Sequence, residues 1–284
     1  MNRKIVDIHI TGKCNLNCEF CDGADKGYDG PIYSDYLKTL DKLSDAGIDT
    51  IVLTGGEPLI RKDIVSIIKS TYTKGFRVYL STNGIRLMEF YNDVADYISC
   101  LGLPMDGSTN EMHIQMSRGP VVFPAVKNVL EYLSKHPSKH IIKIGTVVSA
   151  VNRDDILNIG KFLYEDNTFN IDVWRLYQFS PLKEGLKHRN RFEISEDEFN
   201  EICEKVKCRF PNKNIIPLSD ADSNDAYIFI NPKLEIETLS QGQFHVLGNI
   251  LELSQQDLDT IMHSQNDALY RSNINRRWLS YDRT

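Results

Sequence analysis

The chain has 284 residues, of which 41% are hydrophobic and 25% are charged, and its net charge is −6. This length allows two ordinary domains or one α/β barrel, and the composition excludes the disordered and fibrous classes. The negative charge argues against general nucleic-acid binding, and without a long apolar run we expect no membrane span and a cytoplasmic protein.

Segments with strand-like apolar patterns alternate along the chain with segments of helical periodicity. Strands are predicted at 4–10, 49–53, 76–81, 97–103, 141–148 and 171–179, and helices at 34–46, 61–74, 86–93, 122–135, 153–164 and 195–207. Ser34 is the N-cap candidate of the first helix, and Ser195 with Glu198 forms a capping box before the last. Repeated βα units predict a parallel sheet, as a partial barrel or as an open doubly wound sheet. Both arrangements place a ligand at the carboxyl ends of the strands.

The pattern changes after about residue 208. Short strands are predicted at 214–217, 226–231 and 234–237, and polar helices are predicted from about residue 254. Because no linker composition marks a boundary, we expect residues 1–208 to form a core and residues 209–284 to form a C-terminal α/β extension packed on it.

Three of the six cysteines lie close together directly after the first predicted strand. Cys14, Cys18 and Cys21 have the spacing Cys-x-x-x-Cys-x-x-Cys. Soft thiolates grouped in this way ligate zinc or an iron–sulfur cluster. A closed zinc site needs four protein ligands, and no second Cys or His pair lies nearby at the usual spacing. In a [4Fe–4S] cluster, three cysteines leave one iron open, so the spacing favours the cluster.

The next two predicted strands also end in glycine and polar residues. Gly55, Gly56, Glu57 and Pro58 follow the second strand, and residues 81–84 end the third. Glycines let the backbone approach a ligand closely, and a glutamate can accept a hydrogen bond from an ammonium group. Taken alone, the tetrapeptide is also compatible with an ordinary turn before a helix. Three consecutive strand ends together predict one ligand site.

With Phe20 placed before the third cysteine, the motif resembles the Cys-x-x-x-Cys-x-aromatic-Cys hallmark of the radical S-adenosylmethionine (SAM) superfamily. The resemblance extends to about residue 180 and implies an α/β fold, a partial (β/α)6 TIM-type barrel of the radical SAM type. It implies a [4Fe–4S] cluster on the three cysteines, with SAM chelating the open iron. One electron passed through the cluster would cleave SAM to methionine and a 5′-deoxyadenosyl radical, which abstracts hydrogen from a substrate. An electron donor such as flavodoxin or ferredoxin is the implied partner.

The resemblance also implies contacts to SAM, by matching position in the motif order. The methionine amino group would meet the segment 55–58, the ribose or sulfonium would meet the end of the third strand, and the methionine carboxylate would meet Arg118. The stretch Val148–Asn152 would lie near the adenine. The alternative for Arg118 is a solvated loop arginine. The implied cofactor-binding residues are Phe20, Gly55, Gly56, Glu57, Pro58, Ser81, Asn83, Arg118 and Asn152.

Strand alternation predicts polar side chains inside the barrel. Asp7 and His9 in the first strand, Lys143 in the fifth, and Arg175 and Tyr177 in the sixth stand on the face opposite their apolar neighbours. These five residues are the candidate catalytic or substrate-binding set. The alternative is an internal salt bridge, in which Asp7 pairs with Lys143 or Arg175.

Within the superfamily, the sequence resembles the viperin-like subgroup, which dehydrates nucleotides. The shared segments are 7–11, 143–152, 174–178 and 192–199. Lys143 and Arg175 match basic positions of that subgroup's triphosphate pocket. Other positions of the pocket are changed: Asp7 and Gly145 replace asparagines, Val173 replaces an arginine and Thr50 replaces a lysine. A basic loop at 183–191 either compensates for these changes or is a solvated turn.

Three hypotheses for function follow. The first is a radical SAM enzyme acting on a small polar substrate, with a nucleotide or nucleoside ahead of a sugar-type metabolite. The second is a radical SAM maturase modifying a ribosomally made peptide, which is weakened because Cys100, Cys203 and Cys208 fit core or near-core thiols and predict no auxiliary cluster. The third is a zinc-binding interaction module.

Overall fold

The computed structural model of the chain describes residues 5–23, 26–223 and 227–262. Its strands are β1 (Ile5–His9), β2 (Thr50–Thr54), β3 (Arg77–Ser81), β4 (Cys100–Pro104), β5 (Ile141–Val148), β6 (Val173–Gln178), β7 (Ile215–Leu218), β8 (Ile228–Ile230), β9 (Glu235–Ser240) and β10 (Gln243–Asn249). Its α-helices are α1 (Tyr33–Asp45), α2 (Ile64–Thr73), α3 (Leu87–Val94), α4 (Asn110–Gln115), α5 (Val122–Lys135), α6 (Ile156–Lys161), α7 (Lys183–Lys187), α8 (Arg189–Phe192), α9 (Glu196–Arg209) and α10 (Asp220–Ser223).

All of these strands belong to one sheet with the order β10-β9-β8-β1-β2-β3-β4-β5-β6-β7. Strands β1 to β7 are neighbours in chain order and are parallel. A doubly wound sheet would reverse its strand order at a switch point, and β1 to β7 contain no such reversal. The structure therefore confirms the α/β fold with the partial barrel, and β7 and β10 are the two edges of the wall within the described residues.

The C-terminal residues lengthen this sheet at both ends. Strand β7 pairs with β6, while β8 pairs in parallel with β1 and is followed by the antiparallel strands β9 and β10. The strands predicted at 214–217, 226–231 and 234–237 correspond to β7, β8 and β9. Strand β10 was missed, because its side chains are mostly exposed and a bulge between Val246 and Gly248 breaks the alternation. Residues 255–262 are helical, and the predicted helices beyond them lie outside the described residues.

Helix ends show where local sequence rules hold and where they fail. The predicted cap at Ser195 is confirmed, because its side chain accepts a hydrogen bond from the backbone N–H of Glu198 at 3.2 Å. The predicted cap at Ser34 is wrong, because α1 begins at Tyr33 and has no side-chain cap. Helix α2 begins at Ile64 instead of residue 61, since a short 3-10 turn is followed by extended backbone at Arg61.

The core is divided into two layers by strand alternation. Outward-facing strand residues such as Val6, Ile8 and Trp174 are fully buried against the helices. A smaller apolar cluster at the opposite face forms the floor of the barrel, consisting of Ile5, Tyr79, Cys100, Ile141, Val173 and Ile216. No helix within the described ranges has both the length and the apolar character needed to cross a bilayer.

Candidate active site

A cavity of about 350 Å³ lies at the carboxyl ends of the strands, above the apolar floor. The structure brings three groups of predicted residues together in its lining. They are the thiols Cys14, Cys18 and Cys21, the predicted SAM contacts Phe20, Gly55, Gly56, Glu57, Ser81, Asn83 and Arg118, and the lumen residues Lys143 and Tyr177. The other predicted residues, Asp7, His9, Pro58, Asn152 and Arg175, are not in this lining. The candidate site is therefore built from residues far apart in the sequence.

The three thiols lie in the loop that follows β1. Cys14 is exposed, Cys18 is buried and Cys21 is half-buried. The Sγ atoms of Cys14 and Cys21 accept hydrogen bonds from the backbone N–H groups of Leu16 at 3.4 Å and Gly23 at 3.3 Å. Burial, followed by the charge of Asp22, raises the pKa of Cys21 to about 11, so an incoming metal must displace the thiol proton.

The spacing of these thiols fits a cluster better than a single ion. Among the described residues, no three His, Cys, Asp or Glu side chains converge closely enough to hold one metal ion. Four irons spread their thiolate ligands over a wider area than one zinc ion does. Three thiols on one cavity wall, beside open polar space, therefore match the donor set of a [4Fe–4S] cluster with one iron left for another ligand.

Gly55 and Gly56 bring the loop after β2 against the cysteine loop. A Cβ on Gly55 would lie 2.3 Å from the carbonyl oxygen of Thr11, and one on Gly56 would lie 2.0 Å from that of Lys13. The backbone N–H of Gly56 donates to Thr11 at 2.7 Å. Gly55 also has a φ of 132°, which favours glycine. The glycines are thus required for contact between two protein loops, and the close approach of a ligand to their backbone stays a prediction.

Glu57 joins the ends of β2 and β3. Its carboxylate is 1% exposed and accepts hydrogen bonds from Thr82 Oγ1 at 2.6 Å, from the Asn83 N–H at 2.7 Å and from the Leu59 N–H at 3.0 Å. Burial raises the pKa of Glu57, and the three hydrogen bonds oppose that rise. The Asn83 amide in turn donates to Asn15 in the cysteine loop at 2.8 Å. The first three strand ends are therefore linked by hydrogen bonds between side chains and backbone.

Arg118 is held beside the thiols. Its Nε donates to Asp106 at 2.5 Å, its guanidinium lies 4.7 Å from the centre of the Phe20 ring, and its Nη1 lies 3.9 Å from the Sγ of Cys18. Burial alone would lower the pKa of Arg118, but Asp106 and Cys18 outweigh it and the pKa is raised. This arrangement does not fit the alternative of a solvated loop arginine.

Asp106, which was not predicted from the sequence, connects the ends of β4 and β5. It is fully buried, its carboxylate accepts from the Val147 N–H at 2.7 Å, and its carbonyl accepts from the Asn152 side chain at 2.9 Å. Asn152 also donates to the Val147 carbonyl and accepts from the Ser149 N–H. The predicted adenine contact of Asn152 stays a prediction, while its amide holds the loop after β5. No motif signals Asp106, because one aspartate after a strand is common.

Two basic residues, one aspartate and one tyrosine stand on the lumen faces of the strands. Lys143 Nζ lies 3.4 Å from the Tyr177 hydroxyl, and the Arg175 guanidinium lies 5.4 Å from the centre of the Tyr177 ring. Arg175 also donates to the hydroxyl of Tyr227, which comes from the C-terminal residues and was not predicted. Burial acts to lower the pKa of Arg175, but the effects of Tyr227, Tyr177 and Asp7 are larger in sum. The pKa is therefore raised and Arg175 stays charged.

The basic loop 183–191 lies outside the cavity lining and forms α7 and α8. Lys187 pairs with Glu184 at 3.0 Å, and Arg189 pairs with Glu193 at 2.6 Å. Arg191 pairs with Glu19 on the surface. These three residues therefore fit the alternative of a solvated turn, because their charges are balanced by surface carboxylates outside the lining.

Several curated proteins that resemble this chain are named for reactions of nucleotides, while others are named for reactions of a pterin or of heme. It is 24% identical to an S-adenosylmethionine-dependent nucleotide dehydratase of Lacinutrix mariniflava, over 95% of this chain and 58% of that protein. It is 23% identical to a nucleotide dehydratase of Selenomonas ruminantium, over 94% of this chain and 97% of that protein. It is 29% identical to a GTP 3′,8-cyclase of Clostridium perfringens, over 70% of this chain and 62% of that protein. The chain thus spans about six tenths of the Lacinutrix and Clostridium proteins.

Solved structures share the fold. Streptococcus suis SuiB bound to the precursor peptide SuiA has a TM-score of 0.70 at 15% identity, covering 94% of this chain and 66% of SuiB. The protein anSMEcpe, with bound AdoMet and a peptide, has a TM-score of 0.67 at 17% identity, covering 90% of this chain and 80% of that one. The family model described as the Radical SAM superfamily matches residues 8–163, more than half of the chain. The zinc-module hypothesis has no support in these matches. The chain belongs to the radical SAM superfamily, a family of enzymes that use a [4Fe–4S] cluster and SAM.

Proposed function

We propose that this chain cleaves SAM reductively and uses the resulting 5′-deoxyadenosyl radical to abstract hydrogen from a nucleotide or nucleoside. One observation carries the proposal: Lys143 and Tyr177 open into the same cavity as the three thiols. A substrate anchored on these two residues lies within reach of chemistry that begins at the thiols. The similarity to nucleotide dehydratases over most of the chain supports a nucleotide-type substrate.

The residues of the cofactor half of the cavity have distinct tasks. Cys14, Cys18 and Cys21 would hold the cluster, which together with SAM supplies one electron and a radical when bound. Arg118 offers a fixed cation to a carboxylate, a pairing that guanidinium geometry favours. Glu57 offers a carboxylate oxygen in the lining to an ammonium group. A zwitterion such as the methionine end of SAM is complementary to this pair of charges.

The residues of the substrate half suit an anionic or hydroxyl-bearing molecule. The Lys143 ammonium is a compact cation that binds phosphate oxygens, and the Tyr177 hydroxyl both donates and accepts hydrogen bonds. Gly145 leaves room beside the Tyr177 ring, since a Cβ there would lie 3.3 Å from that ring. Arg175 adds positive charge behind Tyr177 without joining the lining. Phosphate attached to a nucleoside matches this distribution.

Anaerobic reconstitution tests the cofactor half. Replacement of Cys14, Cys18 or Cys21 by Ala should remove iron and abolish formation of 5′-deoxyadenosine from SAM under dithionite. The matched control is Cys203→Ala, since this buried thiol lies on α9 and should leave iron content unchanged. Full SAM cleavage by any one of the three loop variants would contradict the assignment of that cysteine.

A substrate panel tests the other half. Nucleotides, nucleosides, sugars and short peptides are screened for stimulation of 5′-deoxyadenosine formation, and we expect a nucleotide or nucleoside to stimulate it. Lys143→Met should leave the rate of SAM cleavage without substrate unchanged. Its substrate-stimulated rate should fall at least ten-fold, which corresponds to about 1.4 kcal/mol. The control is Lys139→Met, at an exposed lysine just before β5. Stimulation by peptides or sugars alone would refute the nucleotide assignment.

A further inference from the structure

The guanidinium of Arg118 is fixed by three contacts, one of which reaches a cysteine sulfur. Its Nε donates to Asp106, its plane lies over Phe20, and its Nη1 lies 3.9 Å from Cys18 Sγ. An arginine side chain carries considerable rotational freedom, so this orientation needs a fixed partner. The carboxylate of Asp106 is that partner, because it uses the Nε and leaves the terminal nitrogens directed toward the thiols.

The backbone N–H groups of Asp106 and Arg118 are also linked through His113. The N–H of Asp106 donates to Nε2 of His113 at 3.2 Å, and the N–H of Arg118 donates to the carbonyl of His113 at 2.9 Å. His113 is fully buried, and Val147 holds the second carboxylate oxygen of Asp106. The carboxylate of Asp106 cannot turn without losing its bond to Val147, so the geometry of the ion pair is set by the fold.

We propose that Asp106 is a positioning residue that directs Arg118 at the sulfur of Cys18, and that this N–H···S contact raises the reduction potential of the cluster. Reduction adds negative charge to the cluster and its thiolates. Hydrogen bonds and positive charge at the sulfurs favour the more negative state and therefore raise the potential. The proposal rests on cluster binding by the three cysteines, and it is independent of the substrate.

The variant Asp106→Asn gives two opposite signs for two different roles. If Asp106 acts only as a nearby negative charge, its removal makes the surroundings more positive and the midpoint potential rises. If Asp106 positions Arg118, the asparagine has only one acceptor oxygen for the N–H groups of Val147 and Arg118, so the guanidinium loses its fixed partner, the contact with Cys18 is lost and the midpoint potential falls. We expect a fall. A rise or an unchanged potential would overturn the positioning role.

The measurement is a redox titration of the reconstituted holoprotein, followed by electron paramagnetic resonance of the reduced cluster without SAM or substrate. The potential is therefore read independently of turnover, and failure of the nucleotide assignment leaves it unaffected. The control is Asp155→Asn, at a buried carboxylate that accepts from the N–H and hydroxyl of Ser108; it removes a negative charge without touching Arg118, so its potential should not fall.

Arg118→Lys provides a second variant in case Asp106→Asn does not fold. A lysine keeps the positive charge but cannot contact Asp106 and Cys18 together with one planar group. The potential should again fall relative to the unaltered protein. A potential equal to or above that of the unaltered protein would show that a positive charge alone sets the potential. That result would overturn the proposed role of the N–H···S contact.

Discussion

Acidification should destabilise the fold through His113. Burial lowers the pKa of this imidazole, Asp106 and Asp155 raise it and Arg118 lowers it, and the net effect is a fall from 6.5 to about 4. The unfolded chain therefore binds a proton near pH 6.5 that the folded chain does not bind until about pH 4. The stabilising contribution is present above pH 6.5 and is lost as the pH falls toward 4. At about 1.4 kcal/mol per pKa unit, lowering the pH from 7 to 4.5 removes about 2 to 3 kcal/mol.

Urea unfolding at a series of pH values measures this loss when it is compared with His113→Gln. The glutamine carbonyl can accept the Asp106 N–H but does not titrate, so the carboxylates common to both proteins cancel in the difference. Between pH 7 and 4.5, the unaltered protein should lose about 2 to 3 kcal/mol more of its free energy of unfolding than His113→Gln loses. Parallel pH profiles would refute the argument that His113 is buried in its neutral form.

Two further substitutions test how the loops around the cavity are held. Gly56→Ala should displace the cysteine loop, because its Cβ would lie 2.0 Å from the Lys13 carbonyl oxygen. An iron assay of the reconstituted variant should show that most of the iron is lost. Normal iron content would contradict this expectation. Arg61→Ala removes hydrogen bonds to three main-chain carbonyls, two of them on the segment that follows the cysteines. It should lower the free energy of unfolding by about 2 kcal/mol or more in urea titrations, and an unchanged midpoint would show that these bonds are replaced by water.

The barrel and the direction of its side chains were predictable because both depend on local periodicity. The six predicted strands of the core all exist, and alternation correctly assigned Lys143 and Tyr177 to the lumen. Helices α4, α7, α8 and α10 were missed, since segments of four to six residues are too short to show a helical period. Tyr227 was missed because its position beside Arg175 depends on β8 returning to pair with β1.

Side-chain pairs across the cavity could not be predicted from motifs. The contact of Asp106 with Arg118 joins the end of β4 to the loop after α4, and the contact of Glu57 with Thr82 joins two different strand ends. Each pair requires the relative placement of two loops, which sequence spacing alone does not give. The motif residues were therefore found by pattern, whereas the residue that orients Arg118 was found only by its contacts.

The division of the cavity between strands has a consequence for specificity. The loops after β1 to β4 are linked by the contacts of Gly56, Glu57 and Arg118, so a change in one of them disturbs the thiols. Lys143 and Tyr177 stand on β5 and β6, opposite those loops, and the family match at 8–163 ends before β6 begins. Side chains on these two strands can therefore change without disturbing the cofactor half. Because of this separation, we expect the determinants of this chain's substrate to lie on β5, β6 and the C-terminal strands.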